Sequence, residues 1–150
     1  MKYEPLPFLS NETALEILKN ANPNELKVLP FSLGEYCEDW KFAQDICIEL
    51  LNSPHLDVRV NAVCELSYIA RNHKMLEKKR IESIIFRTYR NPANQPFKDD
   101  ISISIHDIYM YMNWKPSLRV LPNWIAYKRS CIPEYLRFIG LCIKDYFKKR

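Results

Sequence analysis

Displaced by 39 residues, the middle of this chain lands on a copy of its own apolar pattern. Phe42 falls on Ile81, Ile46 on Ile85, Cys47 on Phe86 and Leu50 on Tyr89. Asn52-Ser53 meets Asn91-Pro92, Val58-Arg59 meets Phe97-Lys98, and Ala62, Leu66 and Ile69 meet Ile101, Ile105 and Ile108. Within each copy the apolar residues recur at steps of three and four, the period of one helical face. Trp40, Ala43, Cys47, Leu50 and Leu51 mark a helix over 38–52, with Glu38 or Asp39 at its N-terminus and Pro54 forbidding its continuation. In the next stretch, "LDVRVNAVCELSYIARN", Asp57 is the expected N-cap. Val58, Ala62, Leu66 and Ile69 form the buried stripe, with Val60, Cys64, Ser67 and Arg71 on the opposite side. Residues 38–72 thus read as a helical hairpin, and the copy as a second one.

A helix-pair repeat of about 40 residues is the pattern of α-solenoids of HEAT or armadillo type, in which no pair can bury its apolar face alone and pairs stack. The expected fold is therefore all-α, a short α-solenoid of HEAT-like helical hairpins with a helical C-terminal cap, occupying residues 1–150 as one domain. Only two glycines, Gly34 and Gly140, occur in the chain, too few for the tight turns of a β-sandwich or a nucleotide-binding α/β fold. Residues 1–36 hold N-terminal helices: one starting at Ser10 and stopped by Asn22-Pro23, then a short one broken by Pro30. Residues 37–114 hold the two helix pairs. Over 115–150 the pattern decays: a further step of 39 reaches Val120, Trp124 and Ile125, later Leu136-Arg137 and Gly140, and fails at Lys144. Ser130 before Pro133 reads as a helix start, with Ile132, Leu136, Ile139, Ile143 and Phe147 on one stripe. The segment is expected to cover the open end of the stack.

The net charge of +4 is unevenly distributed: −1 over 1–34, −2 over 35–114 and +7 over 115–150. That asymmetry argues against a uniformly basic nucleic-acid groove. The five cysteines include no C-x-x-C pair, and at least three sit on apolar stripes, as buried thiols of a reducing compartment do. "MKYEPLPFLSNE" lacks the basic end and apolar run of a signal peptide, and no uncharged apolar run is long enough to span a bilayer. A cytoplasmic location is the expectation.

Little in the chain points to chemistry. His55, His73 and His106 offer no pair at metal-ligand spacing, so no metal and no cofactor is expected. Cys64 has no base beside it in sequence and no Gly-rich turn to supply an oxyanion hole, so no catalytic residue is assigned. Arg59 and Asp57 read as capping and bridging residues between repeats. The runs Lys78-Lys79-Arg80 and Lys148-Lys149-Arg150 read as solvated helix ends. Trp40 and Trp114 are expected at the ends of the repeat module, and Tyr68, Tyr109 and Tyr111 beside the stripes.

The ordered set Asp39-Trp40, Val58-Arg59, Ile69-Ala70-Arg71, Asp107-Ile108 and Trp114 resembles the HEAT-like immunity proteins of bacterial polymorphic-toxin and contact-dependent inhibition systems. The similarity covers residues 10–114; Tyr68 stands where that family often has His, and Phe97-Lys98 where it has a second Val-Arg. The resemblance implies a protein that binds a cognate toxin domain, one to one, and neutralises it without chemistry. On the second helix of the first pair, Asn61, Glu65, Tyr68 and Arg71 lie at or beyond the edge of the stripe; their counterparts 39 residues on are Asp100, Ser104, Asp107 and Met110, and His106 also faces outward. Asn61, Glu65, Tyr68, Arg71, Asp100, His106 and Asp107 are therefore the expected partner-binding residues, and the acids among them suit the basic face of a nuclease toxin. The competing readings are a HEAT-like nucleic-acid-binding protein and a general interaction adaptor; neither nucleic acid nor a membrane is the expected partner.

Overall fold

Several of the helices begin where a side chain takes up their first unpaired amides. In the computed structural model, which describes residues 6–20 and 22–133, α1 (Asn11–Asn20) starts behind Ser10, whose Oγ accepts the Thr13 N–H at 3.2 Å. α2 (Pro23–Tyr36) is capped by Asn22, whose Oδ1 accepts the Asn24 N–H at 3.0 Å, with Pro23 in the first turn where its missing N–H costs nothing. Asp39 caps α3 (Trp40–Leu50): its Oδ1 accepts the Lys41 and Phe42 amides at 3.0 and 3.1 Å. After the Ser53-Pro54 corner comes α4 (Leu56–His73), which ends on Lys74 in the left-handed region at φ 55°. α5 (Lys78–Arg90) is capped from another helix, because Gln44 Oε1 of α3 accepts the Glu77 N–H at 2.7 Å. A 3-10 helix (Pro92–Phe97) then leads into α6 (Lys98–Tyr111).

The chain divides into two compact units, Met1–Lys115 and Pro116–Arg150. In the first, α1 packs on α2, α3 on α4, and α5 on α6, while α4 lies against α2 and α6 as well as α3. Three neighbours leave α4 little surface. Val58, Ala62 and Leu66 are 0 % exposed and Ile69 1 %, as the stripe requires. Val60 and Ser67, expected on the outer side, are buried as well, because α6 covers that flank. The displaced copy is buried as the repeat demands, with Ile81, Ile85, Ile101, Ile105 and Ile108 at 0 %. Each such side chain contributes about 1.5–3 kcal/mol on burial.

Polar contacts tie one hairpin to the next, between residues 33 to 40 apart. Arg59 is buried and bridges, as expected of it. Its Nε donates to Asn94 Oδ1 at 2.9 Å, and its Nη1 to the carbonyls of Ser53 and Pro54 at 2.7 and 2.9 Å. Arg80 of α5 reaches Asp45 of α3 at 2.6 Å, and Gln44 Nε2 donates to Glu77 at 3.0 Å. Tyr109 donates to Glu82 at 2.8 Å between α6 and α5, and burial pushes its hydroxyl far above the usual range.

Three expectations need correction. Pro30 does not break a helix: α2 runs through it to Tyr36, because Leu26, Leu29, Pro30 and Leu33 are all buried and packing outweighs the lost backbone bond. Asp57 is not the N-cap of α4, which begins one residue earlier behind His55; in the first turn, Asp57 instead pairs with Lys27 of α2 at 2.6 Å, and that contact lowers its pKa. Ser130 does not start a helix. In the second unit a helix already runs over 121–133, to the last described residue, and Ser130 Oγ donates back to the Tyr127 carbonyl at 2.7 Å. Pro122 thus sits in a first turn and interrupts nothing. The stripe through Leu136, Ile139, Ile143 and Phe147, on which the expected cap depends, lies outside the described residues. Among the described residues no helix is long and apolar enough to cross a membrane.

The burial of α4 makes a direct prediction. Ala62→Asp places a carboxylate where no atom is exposed, at a cost of several kcal/mol, comparable with the whole stability of a domain. Cooperative thermal unfolding should be lost. A variant with wild-type circular dichroism and wild-type Tm would show that α4 is not the centre of the core.

Candidate partner-binding surface

The least buried line along α4 runs through Asp57, Asn61, Cys64, Tyr68 and Arg71, at alternating steps of four and three. One flank of that line meets α2 and the other meets α6. Toward α6, Ser104 Oγ lies 3.5 Å from Cys64 Sγ, and further along both helices Ser67 and Arg71 share one depression with Asp107 and Tyr111, so the two helices run side by side in the same direction, with register near 40 residues. Burial, above all, raises the Cys64 thiol pKa, with Asp100 adding to it. Further along the same seam, Ser67, Tyr68, Arg71, Asp107 and Tyr111 line a shallow depression of about 80 Å³.

The electrostatics of this depression are unusual for a surface that only packs. The Arg71 guanidinium sits 4.5 Å from the centre of the Tyr68 ring, and the Lys74 ammonium 4.4 Å from that of Tyr111. Asp107 is half-buried. Neither Arg71 nor Asp107 makes an ion pair or hydrogen bond among the described residues, although both line the same depression. Tyr68 is 44 % exposed. Beside them the open face of α6 carries Ile103, His106, Asp107 and Met110 at helical spacing, with Ile103 61 % and Met110 53 % exposed.

Of the residues expected at a partner surface, the structure brings Tyr68, Arg71 and Asp107 together, with His106 on the adjoining face and Asp100 exposed about two turns back along α6. Asn61 and Glu65 belong elsewhere. Asn61 donates to the Lys27 carbonyl of α2 at 2.9 Å, and Glu65 is 3 % exposed. Their positions on the helix are right for an edge, but α2 covers that edge. Gly34 makes the closeness possible: a Cβ at position 34 would overlap the Glu65 carboxyl group. Glu65 Oε1 has no hydrogen-bond partner among the described residues, and burial raises the Glu65 carboxyl to about 8, helped by Glu35 and opposed by Arg71. Ser67 and Tyr111 complete the depression and were not among the expected set. Tyr111 follows Asp107 by four residues, a spacing that sets two side chains side by side on a helix.

Among the described residues no three of His, Cys, Asp or Glu converge where they could hold a metal ion. In comparison with known proteins, no family model, no curated protein and no solved structure matches the chain.

The position of Glu65 yields a pH prediction. Its folded pKa of about 8 lies above the ordinary 4.5. Below 4.5 the carboxyl is protonated in both states; between the two values it is protonated when folded and ionised when unfolded, so its contribution to stability is lost as pH rises toward 8. The slope approaches about 1.4 kcal/mol per pH unit. Glu65→Gln should therefore gain on wild type in urea unfolding as the pH goes from about 5 to 8, by a few kcal/mol in total. A constant difference between the two proteins across that range contradicts the placement of Glu65.

Proposed function

We propose that this protein is an immunity protein, a short α-solenoid of HEAT-like hairpins that binds a cognate toxin domain and neutralises it by contact alone. The observation that carries the reading is the pair of unpartnered opposite charges, Arg71 and Asp107, in one depression between Tyr68 and Tyr111. A charge left without a partner beside an aromatic ring is a group available to another molecule. An exposed mixture of tyrosine, arginine, carboxylate and aliphatic side chain is the composition of a specific protein interface. Ile103 and Met110 extend it with apolar area. The carboxylate of Asp107 at its centre disfavours a nucleic-acid backbone.

The ordered motifs ending in Asp107-Ile108 and Trp114 supply the toxin half of the reading, and the row α2, α4, α6 supplies its frame. In such a row the second helix of each hairpin presents its outer line next to that of its neighbour, which is how a stack of hairpins makes one continuous surface. The partner is a toxin domain in the cytoplasm, bound one to one, and a nuclease is the class whose basic face matches Asp100 and Asp107. No cofactor, metal or catalytic residue enters the reading.

The test is co-expression with the toxin encoded by the adjacent gene. Wild type should restore growth and bind the purified toxin domain. Tyr68→Ala combined with Asp107→Lys should keep the wild-type Tm yet weaken binding by about 2–4 kcal/mol, some thirty- to a thousand-fold in Kd. A folded double variant that binds and protects at wild-type strength rules this surface out. Failure of the wild type to bind or protect removes the immunity reading itself.

A further inference from the structure

At the other end of α4 lies a second polar feature, independent of the partner surface. Arg59 and Arg71 are twelve residues apart, about 18 Å along a helix axis. Around Arg59, the corner between α3 and α4 and the corner between α5 and the 3-10 helix enclose a cleft of about 360 Å³, lined among others by Asn52, Ser53, Arg59, Arg87, Asn91 and Asn94. Among the described residues no acidic side chain lines it.

Arg59 is 8 % exposed, and among the described residues its hydrogen bonds go to neutral acceptors: the Ser53 and Pro54 carbonyls and the Asn94 amide oxygen. No carboxylate pairs with it, and its Nη2 makes no hydrogen bond among the described residues. A guanidinium has five N–H donors, so the two on Nη2 are unspent. Across the cleft, Arg87 donates only to Asn52 Oδ1, at 3.2 Å, among the described residues, and likewise has no carboxylate partner among them. The Oδ1 of Asn91 is taken by the Ala93 N–H at 3.0 Å, which leaves its Nδ2 as a third donor group. Two positive charges and several free N–H donors thus share one acid-free cavity. Withdrawing a cation from water without a counter-charge is unfavourable, and an anion in the cleft would remove that cost.

We propose that this cleft binds a phosphate-class oxyanion. A dianion matches the two guanidinium charges, and Arg59, Arg87 and Asn91 line the same cleft, so that a tetrahedral oxyanion seated there is offered the multidentate, charge-assisted contact for which Arg is suited. A carboxylate would balance only one of the two charges. The phosphoryl group can be free phosphate or the terminal group of a small phosphomonoester. A bound anion would tie the two corners together on top of the direct Arg59–Asn94 link, so occupancy would stabilise the fold.

The experiment is a thermal-unfolding titration of the full chain with inorganic phosphate to about 20 mM, ionic strength held constant with sodium chloride, and with acetate and adenosine monophosphate in parallel series. Phosphate should raise Tm by a few degrees at saturation, and acetate should not. Arg87→Ala removes an exposed side chain with a single hydrogen bond; it should fold normally and lose most of the phosphate-dependent rise. A larger rise with adenosine monophosphate than with phosphate assigns the group to a phosphomonoester, and the reverse to the free ion. No phosphate-dependent rise in wild type, an equal rise with acetate, or an undiminished rise in Arg87→Ala overturns the proposal. Because none of these readouts involves the toxin, their failure leaves the immunity reading untouched.

Discussion

The 18 residues of α4 are held against three other helices, and the rest of the unit is arranged around that contact. Its apolar stripe packs into the core, one flank meets α2 and the other α6. A helix enclosed in this way cannot be shifted without unpacking all three partners. That is why a short helix such as α3, too brief to be stable alone in water, is held in place against α4, as α1 is against α2. The enclosure also explains the polar residues buried around α4. With neighbours on both flanks, Arg59, Glu65 and Ser67 keep little contact with bulk water and must find partners or bear the cost. Arg59 finds three acceptors. Glu65 does not, and its carboxyl takes up a proton instead.

The same enclosure selects the surface left for function. Up to its last turn, α4 is most open along the line through Tyr68 and Arg71, where α2 and α6 part. On α6 the open side is wider, because α4 covers just one flank of it, and this is where Ile103, His106, Asp107 and Met110 stand. The candidate partner surface and the buried core are thus two consequences of one packing decision. The acid-free cleft is a third, since the corners enclosing it are brought together by the stacking of the hairpins and the link from Arg59 to Asn94.

Much of this was legible in the residues. The displacement by 39 located both hairpins, and the stripe Val58, Ala62, Leu66, Ile69 is buried together with its counterparts Ile101, Ile105 and Ile108, whereas Phe97, the counterpart of Val58, is 37 % exposed. What periodicity could not tell was how many neighbours each helix has. It distinguishes one apolar stripe from the rest of the circumference, so it placed Val60, Ser67 and Glu65 outside, whereas flanking helices close over them. Pro30 was misjudged for a related reason: a local rule about proline was applied where tertiary packing of α2 prevails. Asp57 and Gln44 show the limit of local capping rules. An acid at a plausible cap position serves an ion pair with α2, while the cap of α5 arrives from a residue 33 positions away. At the candidate surface Tyr68, Arg71 and Asp107 came from the repeat, whereas Tyr111 emerged only when two helices were set side by side.

Native-state hydrogen exchange measured amide by amide tests the central position of α4 most directly. If α4 is enclosed by α2, α3 and α6, its amides from Ala62 to Ala70 should exchange only through global unfolding, more slowly than those of α1 and α3, and with α6 as the next most protected element. Exchange of that stretch through local opening, at rates equal to those of α1, would contradict the account.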